Sequence, residues 1–480
     1  MALSFRVSRD IQFAVTIDPR GYPVTDATPT AISPAPHELS RSLESRHVTM
    51  ITIGGVIGAG LFVGSSAAIA AAGPAIIFSY VLAGALVFII MRMLGEMAVA
   101  HPGIRSFTEF ARHGLGNGVG FVAGWMYWYF WVIVVPIEAI AGAAIIQQWV
   151  DLPIWQIGLV LMVIMTSVNL MSARSYGEFE FWFSSIKVGA ILAFIIVAGA
   201  WAFGVTSASG PTLGNLVNHG GFAPKGWTPV FAAVATVFFS ITGSEITTVA
   251  AAESKEPSRA IVKMGTSITW RILLFYVVSI FLIVCIVPWT QIVPGESPFT
   301  KTLNAMNFGW ASTAMSVIIL TAVLSCLNSA VYVSSRVLYV LADKGDAPRW
   351  LVEVNARRVP ARSIMLGAIA GVIGVVVATV SPQVVFAFLV NATGTIVVFL
   401  YLTIAFAHIR LRRAHPQTES QVVKVWLFPW LSYLAIAGLL AVPVAMISTP
   451  GLASQFYISL MAAIIATLAY RRVRQVRRRK

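Results

Sequence analysis

Charge is scarce in this chain. Asp, Glu, Lys and Arg make up 11% of its 480 residues while 58% are hydrophobic, against about 25% charged in soluble globular domains. So few charges cannot clothe a core that large, so lipid must be the solvent for most of the chain. Cysteine is scarcer still: Cys285 and Cys326 both lie in apolar stretches, which excludes a disulfide framework and a cysteine metal cluster. The seven histidines form no HExxH and no group at ligand spacing, so a membrane-embedded metalloenzyme has no foothold and no cofactor or metal is expected. Acidic residues number 19 against 33 basic ones, a net charge of +14. In a soluble chain that excess would point to nucleic acid. Here the basic residues flank apolar runs, and the densest, RRVRQVRRRK at 471–480, closes the chain. An anionic lipid surface is the expected partner, and nucleic acid is not.

What is abundant is long apolar runs. At about 20 residues per crossing they predict an all-α polytopic membrane protein with twelve transmembrane helices, at 48–72, 74–98, 118–149, 155–173, 179–203, 229–251, 266–289, 308–341, 363–380, 383–408, 424–446 and 452–470. The first 40 residues carry Pro19, Pro23, Pro29, Pro34 and Pro36 and no apolar h-region, so they read as a loose cytoplasmic tail and not as a signal peptide. Residues 41–470 then form the membrane domain and 471–480 a basic cytoplasmic tail. With twelve spans, all but three of the 33 Lys and Arg residues fall on one side; Lys225 and Lys301 lie on the other, and Lys187 lies within a span. The positive-inside rule makes the crowded side cytoplasmic, with both termini there, in the plasma membrane.

Two stretches interrupt the apolar pattern. GGVIGAGLF at 54–62 puts four glycines where each costs roughly 1 kcal/mol in a helix, and FSITGSE at 239–245 puts Gly243 between hydroxyl residues beside Glu245. Small residues four apart, such as Gly54 and Gly58, also serve close helix packing. Paired breaks in the first and sixth spans, however, mark an inverted-repeat transporter with its site at the bilayer midplane. An unwound turn frees backbone groups that must face a ligand or a watery cavity. Freed N–H groups suit a carboxylate and freed carbonyls an ammonium, so a small zwitterion, an amino acid, fits both.

GGVIGAGLF, LGEMA at 94–98, EFEFWFSSIKV at 178–188, GSEITTVAAAESKEP and SCLNSAVYVSSRVLYVLADKGDAP at 325–348 resemble the bacterial amino acid transporters of the amino acid–polyamine–organocation superfamily. Among these the likeness is greatest to 4-aminobutyrate permeases, followed by neutral amino acid permeases. The resemblance implies two inverted five-helix repeats plus two peripheral helices, with discontinuous helices 1 and 6. It implies substrate-carboxylate contacts at Val56, Ala59 and Gly60, with Gly58 in the same turn, and ammonium or gating contacts at Phe239, Ser240 and Thr242. Ala59 replaces the Ser or Thr of relatives, which removes one hydroxyl contact. The resemblance also implies that the Lys187 ammonium takes the place of a sodium ion.

The polar residues inside the spans carry open alternatives. Lys187, about 13 Å into its span, either snorkels or couples protons. Glu245 lines the cavity or holds helices together by a salt bridge. Glu138, after Pro136, bonds a neighbouring helix or relays protons. Ser325, Asn328 and Ser329 share one helix face at i, i+3 and i+4, for interhelical bonding or proton coupling. His101, His113 and His408 read as solvated histidines near span ends, and GWMYWYFW at 124–131 as packing or interfacial aromatics. Together these features lead to an importer of a small amino acid by proton symport with alternating access. Sodium symport and exchange stand as alternatives, and a channel or an enzyme is disfavoured.

Overall fold

The computed structural model describes residues 3–8, 11–17, 23–24, 57–101, 104, 106–171, 173–207, 210–243, 272–414 and 424–479. The chain divides into two compact units, residues 1–39 and 40–480. In the first, β1 (Leu3–Ser8) pairs antiparallel with β2 (Ile11–Ile17), and β2 with β3 (Pro23–Val24). These strands lie within the stretch expected as a loose tail, residues 1–40. Leu3, Phe5 and Val7, then Ile11, Phe13 and Val15, alternate with small or polar residues, the period-2 signal of a half-buried strand. The two strands meet Phe5 to Phe13 and Leu3 to Val15.

The second unit is helical, and each of the twelve expected spans contains a helix. The first span holds a π-turn at Gly60–Gly64 leading into α1 (Ser65–Ala72). Then come α2 (Ile76–Ala100), the short α3 (Phe107–Leu115), α4 (Asn117–Ile146), α5 (Ile154–Met171) and α6 (Ala173–Ala202). The middle of the chain forms α7 (Thr228–Ile241), a π-turn at Ile272–Val278 leading into α8 (Ser279–Ile286), the short α9 (Pro298–Ala305) and α10 (Gly309–Asp343). It closes with α11 (Ala361–Val377), α12 (Pro382–Ala414), α13 (Trp430–Ile447) and α14 (Ala453–Arg479). Among the described residues eight helical segments are long and apolar enough to cross a bilayer, with Gly60–Ala100 counted as one; Thr228–Ile241, Leu274–Ile286 and Ala361–Val377 are shorter apolar helices. The stretch expected as a basic tail, 471–480, carries the end of α14, which runs to Arg479.

The outer faces carry the signature of lipid. Ile196 is 71% exposed, Val163 67% and Leu434 66%, a belt that would aggregate in water. Within, α4 is the hub and packs on α10, α12, α11 and α3. Small residues set these approaches. Gly371 and Gly374 of α11 face Val135 and Pro136 of α4, where a β-carbon would come within 2.5 Å of each. At Gly394 of α12 a β-carbon would meet the Ala235 carbonyl of α7 at 1.8 Å, so those backbones touch.

One end of the unit is tied by charges. Ser106 caps α3 by accepting the Glu109 N–H at 3.3 Å. Glu109 then pairs with Lys344 and Arg112 with the buried Asp346, just beyond α10. Nearby, fully buried Glu96 of α2 meets Arg412 at 3.0 Å and His408 at 3.2 Å. His408 is therefore not the solvated loop histidine expected from sequence. It lies a turn inside the end of α12, buried against a carboxylate that can hold its ring in place.

Candidate functional site

The site grows from the start of one helix and the end of another, which meet. Ile57 and Gly58 are non-helical, and the helix of the first span begins at Ala59 with the Gly60–Gly64 π-turn. A helix start leaves backbone N–H groups without partners inside the helix. Here the Ala59 N–H donates to both oxygens of Glu138, at 3.0 and 3.2 Å. Glu138 follows Pro136, which sits inside α4; proline has no N–H to complete the helix ladder. Of the two readings of Glu138, a bond to a neighbouring helix is thus present, and it falls on a donor assigned to the substrate carboxylate.

The glycines on either side of Ala59 make room for that meeting. A β-carbon at Gly60 would lie 2.7 Å from Ser240 Cα and 3.1 Å from Phe239 Cδ1. One at Gly58 would lie 2.7 Å from Cys326 Cβ and Sγ and 2.8 Å from Glu138 Oε1. Close packing and a helix start therefore occur together at these glycines. The sixth-span helix stops in the expected place: α7 ends at Ile241, Thr242 is extended, and Gly243 has φ +125°. That conformation is open to glycine and strained for residues with a β-carbon. The Thr242 hydroxyl is buried with no hydrogen-bond partner among the described residues, so it is free for one. The Ser240 hydroxyl donates to Val237 O at 2.8 Å and also bonds the Tyr80 side chain of α2.

Lys187 is wholly buried, and its Nζ donates to Ser325 Oγ at 2.8 Å. The snorkelling alternative is corrected: the ammonium points into the bundle, since a buried hydroxyl offers it an acceptor and hydrocarbon offers none. Lys187 and the Cys326 thiol both act on the Glu138 carboxylate, so α4, α6, α10 and the first span converge on one group of side chains. Asn328 turns elsewhere and accepts from Asn169 Nδ2 of α5 at 2.8 Å. Ser329 is buried beside it on α10. Val56 and Glu245 lie outside the described residues. Sequence reasoning missed Tyr80, Asn169 and Cys326; an apolar-run reading passes over a tyrosine or cysteine that fits a helix equally well.

On the side away from the charged ties lies a cavity of about 590 Å³ with a mixed polar and apolar lining. It is bounded by Val63 of the π-turn, Ile140 and Gln148 near the end of α4, Glu296, Lys301 and Phe386. Its volume lies in the range of small-molecule sites, about 300–1,000 Å³. It reaches from groups of both charge signs to the turn that carries Ala59 and Gly60.

Comparison with known proteins agrees with this geometry. The chain is 45% identical over 412 residues to the gamma-aminobutyric acid permease of Bacillus subtilis (strain 168), covering 85% of this chain and 88% of that one. It is 44% identical over 426 residues to the gamma-aminobutyric acid permease of Escherichia coli (strain K12), covering 87% and 91%. Against the aromatic amino acid transport protein AroP of the same strain it is 36% identical over 436 residues, covering 90% and 95%. Residues 47–479 match the family described as amino acid permease, and the chain belongs to that family.

Proposed function

We propose that this protein imports a small amino acid, 4-aminobutyrate or a neutral amino acid, across the plasma membrane by proton symport with alternating access. The observation that carries this reading is the Glu138 carboxylate held on the Ala59 N–H at the start of the first-span helix, with Lys187, tied to Ser325, acting on that same carboxylate. A substrate carboxylate that seeks the same N–H meets the Glu138 carboxylate already there. Two like charges a few ångströms apart in a low dielectric repel strongly, so the substrate enters most readily when Glu138 carries a proton. The substrate ammonium has the Thr242 hydroxyl, without a partner among the described residues, and the carbonyls at the end of α7 as acceptors. Lys187, protonated, holds α6 to α10 through Ser325 as a bound cation would, and loss of its proton frees the helices to rock. Relatives that carry 4-aminobutyrate or aromatic amino acids support the substrate class but not the choice within it, since apolar pockets separate analogues differing by a methylene by only about 10–200-fold.

The test is uptake of labelled 4-aminobutyrate by proteoliposomes holding the purified chain, under an inward proton gradient without sodium. Accumulation that a protonophore collapses is expected, with a panel of unlabelled amino acids as competitors ranking the substrates. A requirement for sodium, or for a counter-substrate inside, overturns proton symport in favour of sodium coupling or exchange.

This reading carries a twelve-span topology with the two inverted five-helix repeats implied by the family resemblance, and both termini cytoplasmic from the sidedness of Lys and Arg. Cys285 and Cys326 are buried, so an impermeant maleimide reports on introduced cysteines. Lys225→Cys is expected to label in intact cells and Lys344→Cys only after permeabilisation. The opposite pattern inverts the topology.

A further inference from the structure

We propose that the protein holds an anionic phospholipid in a groove between α4, α12 and α14, with the lipid phosphate on Arg410 and Arg413. The groove has a volume of about 750 Å³. Its walls are apolar, with Val122 and Met126 from α4, Phe399 and Phe406 from α12, and Leu460 from α14. The Thr403 hydroxyl, the other polar group on the α12 wall, is turned back on its own helix and donates to Leu400 O at 2.7 Å. Phe406 is 46% exposed, so the wall is open to whatever fills the membrane.

Length and charge identify the occupant. From Phe399 to Ile409 the α12 wall rises about 15 Å at 1.5 Å per residue, half of a hydrocarbon core of about 30 Å. The groove thus spans the apolar depth of one leaflet, and the two arginines lie where the headgroups begin. Among the described residues no carboxylate lines it. Arg412, on another side of the same helix end, is neutralised by Glu96. Arg410 has no carboxylate partner among the described residues, and Arg413 donates to a neutral acceptor, the Tyr433 hydroxyl. Two guanidinium groups that keep their charge at a leaflet surface suit a phosphate, which arginine binds through paired N–H groups. Tyr470 of α14 packs on Gly118 and on the Phe121 ring, 5.4 Å between centroids. This contact holds the end of α14 on α4, with exposed Arg471, Arg472 and Arg474 just beyond it; they do not line the groove and add attraction without shaping it.

The experiment uses the full chain purified in detergent, with bound lipid counted by native mass spectrometry during titration with phosphatidylglycerol or phosphatidylcholine. The wild type is expected to prefer phosphatidylglycerol by roughly 30-fold, the contribution of two arginines at a membrane surface. Arg410→Gln with Arg413→Gln should remove that preference; both side chains are exposed, so the fold is not at stake. Val122→Trp, which fills the groove and leaves both arginines, should weaken both lipids together. Gln at 471, 472 and 474 should leave most of the preference. Equal binding of the two lipids by the wild type, or an unchanged preference in the Arg410/Arg413 variant, overturns the proposal. So does a preference lost only with the α14 arginines, or tight lipid binding that survives Val122→Trp.

Discussion

Uptake by the Gly60→Val protein falls by roughly 100-fold, the scale on which a displacement of an ångström acts at a reacting or binding site, although the chain still inserts. A side chain at position 60 puts its β-carbon 2.7 Å from Ser240 Cα and 3.0 Å from Ser240 Cβ. The nearer atom is backbone and cannot swing aside, and valine adds a stiff χ1. The first- and sixth-span helices must part, which pulls the Ala59 N–H off Glu138 and opens the proposed substrate site. Ser240→Gly in the same chain does not restore uptake, because removing the serine side chain leaves the backbone of residue 240 still in the way. Uptake of labelled substrate, normalised to inserted protein, measures both variants. Normal uptake by Gly60→Val would show that the two helices need not touch there.

Lys187→Ala inserts but no longer concentrates substrate under a proton gradient. The substitution takes a buried ammonium away from Ser325 and from Glu138. Breaking one side of a buried charge interaction costs about 3–5 kcal/mol, since the remaining charge is left uncompensated. Adding Glu138→Gln removes that stranded charge and recovers thermal stability without recovering accumulation, so stability and coupling separate in one double-mutant cycle. Lys187→Arg does not rescue accumulation, because a guanidinium does not release its proton. The readouts are the accumulation ratio under an inward proton gradient without sodium, and the unfolding temperature of each purified variant. If Lys187→Ala accumulates substrate, the lysine is a structural tie and protons enter elsewhere.

Several features that sequence reasoning passes over nonetheless leave a signal there. Ser106 and Glu109 form the S-x-x-E pattern of a helix start, which marks α3 inside a stretch that otherwise reads as a loop. The alternation in residues 3–17 marks β1 and β2, although the prolines that follow outweigh it. Other features leave none. His408 reads as a loop histidine because Glu96, its partner, lies in another span. Asn328 reads as part of the Lys187 face because Ser325 and Ser329 share its side of α10, yet Asn169, 159 residues away, holds it.

Some properties of this protein follow from the chain taken locally. Composition alone requires lipid as solvent, and run length places the helices. The Thr242–Gly243 interruption is legible because a helix responds to its own residues within a turn or two. What only the tertiary structure decided is which groups meet: Ala59 with Glu138, 79 residues apart, and Lys187 with Ser325, 138 apart. Neighbours along a helix follow from 3.6 residues per turn. Partners between helices depend on how closely each pair approaches and at what rotation, which here rests on glycines such as Gly58, Gly60 and Gly394 and on the side chains that face them.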